Sequence, residues 1–570
     1  CPAIHGSGSC HSSRFLRPWR SRMEIFPSIR ISQALCSCAD LKQLAGCFCR
    51  RAIDFLLDKC HTVSCADIII EEFSMCGSVT GIYKTITILL SVLIKVKKSH
   101  IMRIGGGFML VRFSVENFLS FKNLTEFSMV AGKMTRHSGH IAVCNHKRLL
   151  KGAFIFGANA SGKTNLIRAI SFARNIVLNG IERTNCDKKF FRIDEDCKDN
   201  PGVFQFDIFS QGHFYSYGFA ISYAAAVEEE WLYQIDNPNK EFCVFLRSKQ
   251  ENDETFTISS DIQFKDGRQE ARFSVYKDDI SSSKMKQTLF LRDIAMRSPE
   301  DSPEYQPFRD VMKWFERLVV VFPNSKYGRI TQLLENDNEK TRLENLLNYF
   351  DTGIISVSKK EVEFDKAFSM LPNEVIDSLK TDIAKNLEES GQNAFVQQDA
   401  SLIEIKNVNG ELLTYEVVSN HGNDTDLFEH SDESDGTQRL FDLIPLFQKL
   451  LLNAVVLIDE VDRSLHTKAV QEFINYFYSL TEQNASQLIV TTHDSNIMNL
   501  DFVRQDEVWF IERQKDHSSK LYSLNKFMAR FDKKVEKDYL LGRYGAIPIF
   551  RQVALEPGAL EEGEQSAEGS

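Results

Sequence analysis

The sequence predicts an α/β protein with a mixed central sheet, an antiparallel β-subdomain and a helical insertion, and a few short stretches predict it. Residues 151–156 (KGAFIF) are a short, largely apolar run that reads as a buried strand, 454–458 (AVVLI) are an uninterrupted apolar run, the pattern of a parallel strand covered on both faces, and 487–492 (QLIVTT) are again a short, largely apolar run that reads as a buried strand. Each run delivers residues able to do chemistry: Gly157 after the first, Asp459 and Glu460 after the second, His493 after the third. Residues 204–233 alternate instead (QFDIF, FYSYGFAIS), as antiparallel strands do.

Size and composition bound the answer. A chain of 570 residues exceeds one ordinary domain, so about two to four units are expected. With 43% hydrophobic and 26% charged residues it is neither disordered nor a membrane protein by composition. The apolar run 86–96 contains Lys95 and falls short of the roughly 20 residues that span a bilayer. No secretory signal precedes it, so the cytoplasm is the expected compartment. Net charge is −10, but residues 1–108 hold 14 Lys and Arg against 7 Asp and Glu, leaving 54 against 71, near −17, for the rest. A body so acidic is not drawn to nucleic acid by its overall field, and any DNA contact must be made by a local patch. Nine of 13 cysteines precede residue 77, which leaves the body without a disulfide framework. Cys36, Cys38, Cys47 and Cys49 form two C-x-C pairs, whereas zinc sites favour wider spacing.

Several segments follow in order. Residues 1–108 lack sustained periodicity, and Gly105-Gly106-Gly107 is what a purine-rich ribosome-binding sequence would encode if read in frame, so they are expected to be a non-native or poorly ordered extension, with Met109 the native start. Residues 109–300 form a first lobe, opening on a strand over 110–115, a turn over 117–120 and a returning strand over 121–130. Helices over 308–318 and 339–349 place a helical insertion at 301–395. A second lobe takes 396–551, and 552–570 is an acidic, disordered tail.

Gly157-Ala158-Asn159-Ala160-Ser161-Gly162-Lys163-Thr164 is a complete G-x-x-x-x-G-K-[ST] between a strand and a helix expected over 165–177. Glycines let backbone N–H groups close round phosphate oxygens, and the helix N-terminus adds its positive end. Lys163 supplies a point charge to the β- and γ-phosphates, Thr164 a hydroxyl to Mg²⁺, and Asn165 extends the same turn, so ATP with Mg²⁺ is the expected ligand. Asp459 at a strand tip beside that loop can hold Mg²⁺ through water, and Glu460 can orient or deprotonate the attacking water. His493 can contact the γ-phosphate and the water. Ser434-Asp435-Gly436-Thr437-Gln438, before a helix expected over 439–452, is a second phosphate grip. Its Ser434 and Gly436 are expected to serve a partner subunit.

With these residues in view, 109–550 resembles the ABC-class ATPases related to SMC, RecF and the overcoming-lysogenization-defect proteins, and among them the stand-alone bacterial AAA family ATPases of phage-defence operons. The resemblance is carried by MLVRFSVENFLSFKNLTEFSM, GANASGKTN, ESDGTQRLFDL, AVVLIDEVDRSLHTKAV, TTHDSNIM and YLLGRYGAIP. It implies an ABC-type P-loop head, ATP hydrolysis and a homodimer joined through ATP. It also implies a signature motif in which Asp435 replaces a glycine, and a D-loop at 461–466 with Asp462 and His466 near the dimer seam. No Q-loop glutamine stands out. The function so implied is a nucleotide-gated switch in anti-phage defence with a separately encoded nuclease effector, the alternative being a DNA-repair or recombination ATPase that binds DNA directly.

Overall fold

The computed structural model describes residues 103–547 apart from 105–106, 238–239, 251–254, 300–301, 326–329, 391–392, 399–400, 409 and 528–534. The C-x-C cysteines, the run 86–96 and the acidic tail therefore lie outside the described residues. Strand β6 (Gly152–Phe156) sits at the centre of a six-stranded sheet ordered β12 (Leu318–Val321), β18 (Val455–Ile458), β19 (Gln487–Thr491), β6, β20 (Val508–Arg513), β21 (Ser519–Ser523). All are parallel except the hairpin partner β21. Ala153 and Ile155 join one hydrophobic core with Leu457 and Ile489, while Phe154 and Phe156 join another with Val456, Ile458, Leu488 and Val490. Successive side chains of β6, β18 and β19 are buried on opposite faces, so the positions between their ends are apolar, and the polar Gln487 and Thr491 stand at the two ends of β19.

The first core is closed by a seven-stranded antiparallel sheet ordered β11 (Phe256–Ser259), β10 (Lys240–Lys249), β9 (Ala226–Asn237), β8 (His213–Ser222), β7 (Gly202–Ser210), β2 (Phe108–Glu116), β3 (Thr125–Ser128). Between the sheets lie α1 (Lys163–Asn179), which buries Leu166, Ile167, Ile170, Ala173, Ile176 and Val177 at helical spacing, and α2 (Gln306–Arg317), which buries Phe308, Val311, Trp314 and Phe315. The expected strand 121–130 is shorter: Phe121 bridges Phe118 in a tight turn, and pairing resumes only at Thr125. Upstream of Met109, β1 (Arg103–Ile104) pairs with β4 (Ile141–Cys144). Met109 itself is fully buried within β2.

The insertion carries the expected helix α3 (Asp337–Tyr349) and adds α4 (Asn373–Ser390) on an antiparallel sheet of β13 (Ser356–Val362), β16 (Glu411–Asn420), β15 (Ser401–Val408) and β14 (Ala394–Gln398), with β17 (Phe428–Glu429) beside β16. The drawn boundaries 301–395 and 396–551 shift accordingly. Residues 306–321 belong to the head, because α2 packs on α1 and β12 joins the parallel sheet, whereas β15 and β16 pair back to β13 and β14. The helix expected over 439–452 is two, α5 (Asp435–Leu443) and α6 (Leu446–Leu451), divided at Pro445, which lacks a backbone donor. Among the described residues no helix is long and apolar enough to cross a membrane.

Candidate functional site

The phosphate loop leaves β6 at Phe156 and enters α1 at Lys163. Gly162 has φ +112°, and a Cβ there would run into Ser519 Oγ and come within 2.9 Å of Ser120 Oγ, so only glycine fits. These two serines buttress the loop from below. Ser519 N–H donates to Ser120 O (2.7 Å), Ser519 Oγ to Ser161 O (2.6 Å), and Asn165 Nδ2 to Ser120 Oγ (2.9 Å). The Ser519 hydroxyl has one proton, which the Ser161 carbonyl takes; the 2.8 Å contact to Ser120 Oγ is then donated from Ser120. Ala158, Asn159 and Ala160 lie nearer solvent, at the mouth. Lys163 is buried, and its ammonium donates to Gly157 O (2.8 Å) and Ala158 O (3.2 Å). Burial pushes its pKa down to about 8, although Asp459, Glu460 and Asp462 pull the other way.

Two strands over, β18 presents Asp459, which is fully buried. Asp459 Oδ1 accepts from Thr491 Oγ1 at 2.6 Å, while Oδ2 is buried without a hydrogen-bond partner. Thr491 Oγ1 also accepts the Glu460 N–H (2.8 Å), so one hydroxyl at the end of β19 aligns both carboxylate residues. Glu460 adopts φ +50°, which turns the chain sharply at the strand tip. Magnesium takes few protein ligands and keeps phosphate and water oxygens. An orphaned carboxylate oxygen on Asp459 and the half-buried Thr164 hydroxyl in the first turn of α1 fit that demand.

His493 follows β19, and its backbone N–H donates to both Asp462 oxygens (3.3 and 3.1 Å), tying the third strand end to the D-loop position. The residue as a whole is exposed. Partial desolvation first, and Lys163 second, hold the imidazole below its ordinary pKa, against the pull of Asp462, Glu460 and Asp459. The neutral ring is favoured near pH 7, with one donor and one acceptor nitrogen.

Ser434 and Gly436 have duties within their own chain. Ser434 Oγ caps α5 by accepting the Thr437 N–H (3.2 Å), and a Cβ on Gly436 would lie 2.9 Å from Ser464 O. The glycine thus lets the signature turn approach the segment after Glu460. His466 is a helix cap as well, its Nδ1 accepting the Lys468 N–H (3.1 Å) at the start of α7 (Thr467–Leu480).

Sequence reasoning passed over Ser120, Ser519 and Thr491. It also left the Q-loop unplaced; the turn after β12 lies beside Asp459, whose N–H donates to Val321 O (2.9 Å), and there Asn324 Oδ1 accepts from Arg463 Nη1 (2.5 Å).

A phosphate loop on the central parallel strand, a carboxylate pair and a histidine on its neighbours, and a capped signature turn ahead of the carboxylate strand define a P-loop ATPase head of the ABC class. Residues 153–499 match the family described as "AAA domain, putative AbiEii toxin, Type IV TA system", and the chain belongs to that family. Three solved structures are similar over most of their lengths. An SMC head bound to the C-winged helix domain of ScpA is 15% identical, with 74% of this chain and 99% of that one covered and a TM-score of 0.31. The SMC head domain from Thermotoga maritima is 13% identical, covering 73% and 98%, TM-score 0.29. An Smc head with an extended coiled coil, bound to the C-terminal domain of ScpA derived from Pyrococcus furiosus, is 15% identical, covering 76% and 100%, TM-score 0.27. At such scores they add nothing to the fold read from strand order. No curated protein matches the sequence.

Proposed function

We propose that the chain hydrolyses ATP with Mg²⁺ at a site completed by a second copy of itself, and that this ATP-joined homodimer is a switch in anti-phage defence acting through a separately encoded nuclease. The observation that carries the reading is the convergence of Lys163, Asp459, Glu460 and His493 at adjacent strand ends, close enough for each charge to act on the others. Mg²⁺ would be held by Thr164 and Asp459 and would neutralise phosphate charge as it develops. Lys163 exchanges its loop carbonyls for β- and γ-phosphate oxygens. Glu460 orients the attacking water and takes its proton, and His493 donates to the γ-phosphate while its own backbone is fixed by Asp462. The Ser434 turn of one copy faces the phosphates of the other across a two-fold axis.

Glu460→Gln keeps the metal and phosphate contacts but removes the base. In light scattering with saturating ATP and Mg²⁺ this variant forms a stable dimer that Ser434→Arg disrupts. A Glu460→Gln protein that stays monomeric at micromolar concentration overturns the shared-site reading.

A further inference from the structure

The segment carrying YLLGRYGAIP takes no part in the chemistry assigned so far. It begins at the end of a short helix, α8 (Val535–Leu540), and its described residues run on to Ile547. Gly542 (φ +76°) and Gly545 (φ +70°) turn the chain back on itself, so that Tyr539 Oη donates to Ala546 O (3.1 Å). Asp538 grips the same fold-back, its Oδ1 accepting from Arg543 Nη1 at 2.7 Å and its Oδ2 from Tyr544 Oη at 3.4 Å. From β21, Tyr522 Oη donates to Tyr544 O (2.7 Å). Only glycine permits that approach at 545, where a Cβ would lie 2.8 Å from Tyr522 Oη and 2.9 Å from Glu512 Oε1. The segment is thus a closed polar knot.

The knot lies against β20, β6 and the turn that follows β19. Phe510 of β20 is nearly parallel to both Tyr539 (centroids 5.4 Å apart, 16°) and Tyr544 (5.8 Å, 16°). Tyr539 also meets Phe156 (6.3 Å), the last residue of β6 before the phosphate loop. Helix α8 packs on the short turn Ser495–Met498, which begins two residues after His493. Asp494 caps that turn by accepting the Asn496 N–H (3.0 Å), and Ile497 and Met498 are fully buried in the core that holds Tyr539 and Tyr544. His493 therefore has two anchors: Asp462 takes its N–H, and α8 backs the turn behind it. Covering a core edge needs only apolar area, whereas buried hydrogen bonds between fixed partners impose a single geometry.

We infer that Tyr539 is a positioning residue for His493: the tail knot wedges the turn Ser495–Met498 against the end of β6 and so fixes the imidazole in register with the phosphate loop. Fixing the approach of a group that acts in the transition state changes turnover and leaves ground-state binding alone. The inference rests on the hydrolytic role given to His493 above.

The test is Tyr539→Phe, which removes one hydroxyl and keeps the ring against Phe510, with Gly545→Ala as the stronger disturbance. Each is made alone and together with His493→Ala. In steady-state hydrolysis Tyr539→Phe lowers kcat roughly fivefold or more and Gly545→Ala lowers it further, while ATP affinity by titration stays within about twofold. In the His493→Ala background neither substitution lowers kcat by more than about twofold, because the group they position is gone. A second fall of full size in the double variants shows that the tail acts on the head as a whole, and overturns the inference. Unchanged turnover in Tyr539→Phe does so too, as does a loss of ATP affinity that matches the loss of turnover. If Gly545→Ala does not fold, Tyr539→Phe decides alone. If the unmutated chain does not hydrolyse ATP, or His493→Ala turns over normally, the reading of the site fails instead, and the two failures are thus distinguished.

Discussion

The two halves of the site are finished to different degrees. Beneath the phosphate loop the polar groups of Ser120, Ser519, Asn165 and the Ser161 carbonyl satisfy one another and Lys163 is held by two carbonyls, while the loop's own Ser161 Oγ is buried without a partner. At the carboxylate corner, Asp459 Oδ2 and all three Arg439 nitrogens are buried and unpaired. Buried polar groups are normally satisfied, so each such exception calls for an explanation. The difference teaches that the two halves are built differently: in the proposed reading, the phosphate loop is preformed, while the carboxylate corner would be completed by metal, water and a second copy.

The largest effect comes from breaking the preformed half. Gly162→Ala places a methyl against Ser519 at a backbone angle that L-residues rarely adopt. ATP affinity is expected to fall by roughly a hundredfold or more, about 3 kcal/mol of lost phosphate contacts. Isothermal titration checks it; an affinity within fivefold of the unmutated protein shows that the loop is not held by this packing. Thr491→Val attacks the other half. It is nearly isosteric, but it strips the partner from Asp459 Oδ1 and from the Glu460 N–H. Turnover should drop by roughly tenfold to a hundredfold with ATP affinity little changed. Stability should fall by about 1–3 kcal/mol. Steady-state hydrolysis beside thermal melting reads both, and equal losses of binding and turnover erase the division between the halves.

The smallest effect concerns pH. Phosphate binds the charged form of Lys163, whose pKa in the empty site is pushed down to about 8. Below that value affinity is flat; above it binding must take up a proton, so affinity falls as pH rises. Between pH 7 and pH 9 the dissociation constant should rise roughly tenfold. A flat profile through pH 9 places the empty-site lysine at its ordinary value.

Much of this was legible in the sequence, for a physical reason. Strands buried on both faces are apolar between their ends, so residues 151–156, 454–458 and 487–492 announce themselves, and Gly157, Asp459 and His493 stand where those strands end. The helix α1 is likewise periodic. Partnerships that join distant chain segments leave no local trace. Ser120 and Ser519 are 399 residues apart and look like any loop serines. Thr491 reads as part of an apolar run until strand register points its hydroxyl at Asp459. Arg439 resembles an ordinary charged residue on a surface helix, and only burial sets it apart. The insertion's sheet leaves little trace because its short strands carry many polar residues.

The position of β6 has a consequence for how the protein is made. Both of its hydrogen-bonding neighbours, β19 and β20, lie roughly 330 residues or more further along the chain. At about 5–20 residues per second, a ribosome leaves this apolar strand without either neighbour for something like 15–70 s. The antiparallel sheet from β2 to β11 is complete by residue 259 and can shelter α1 meanwhile. The nucleotide site cannot be assembled until the last third of the chain emerges, so a nascent or truncated product carries the phosphate-loop sequence without the capacity to use it.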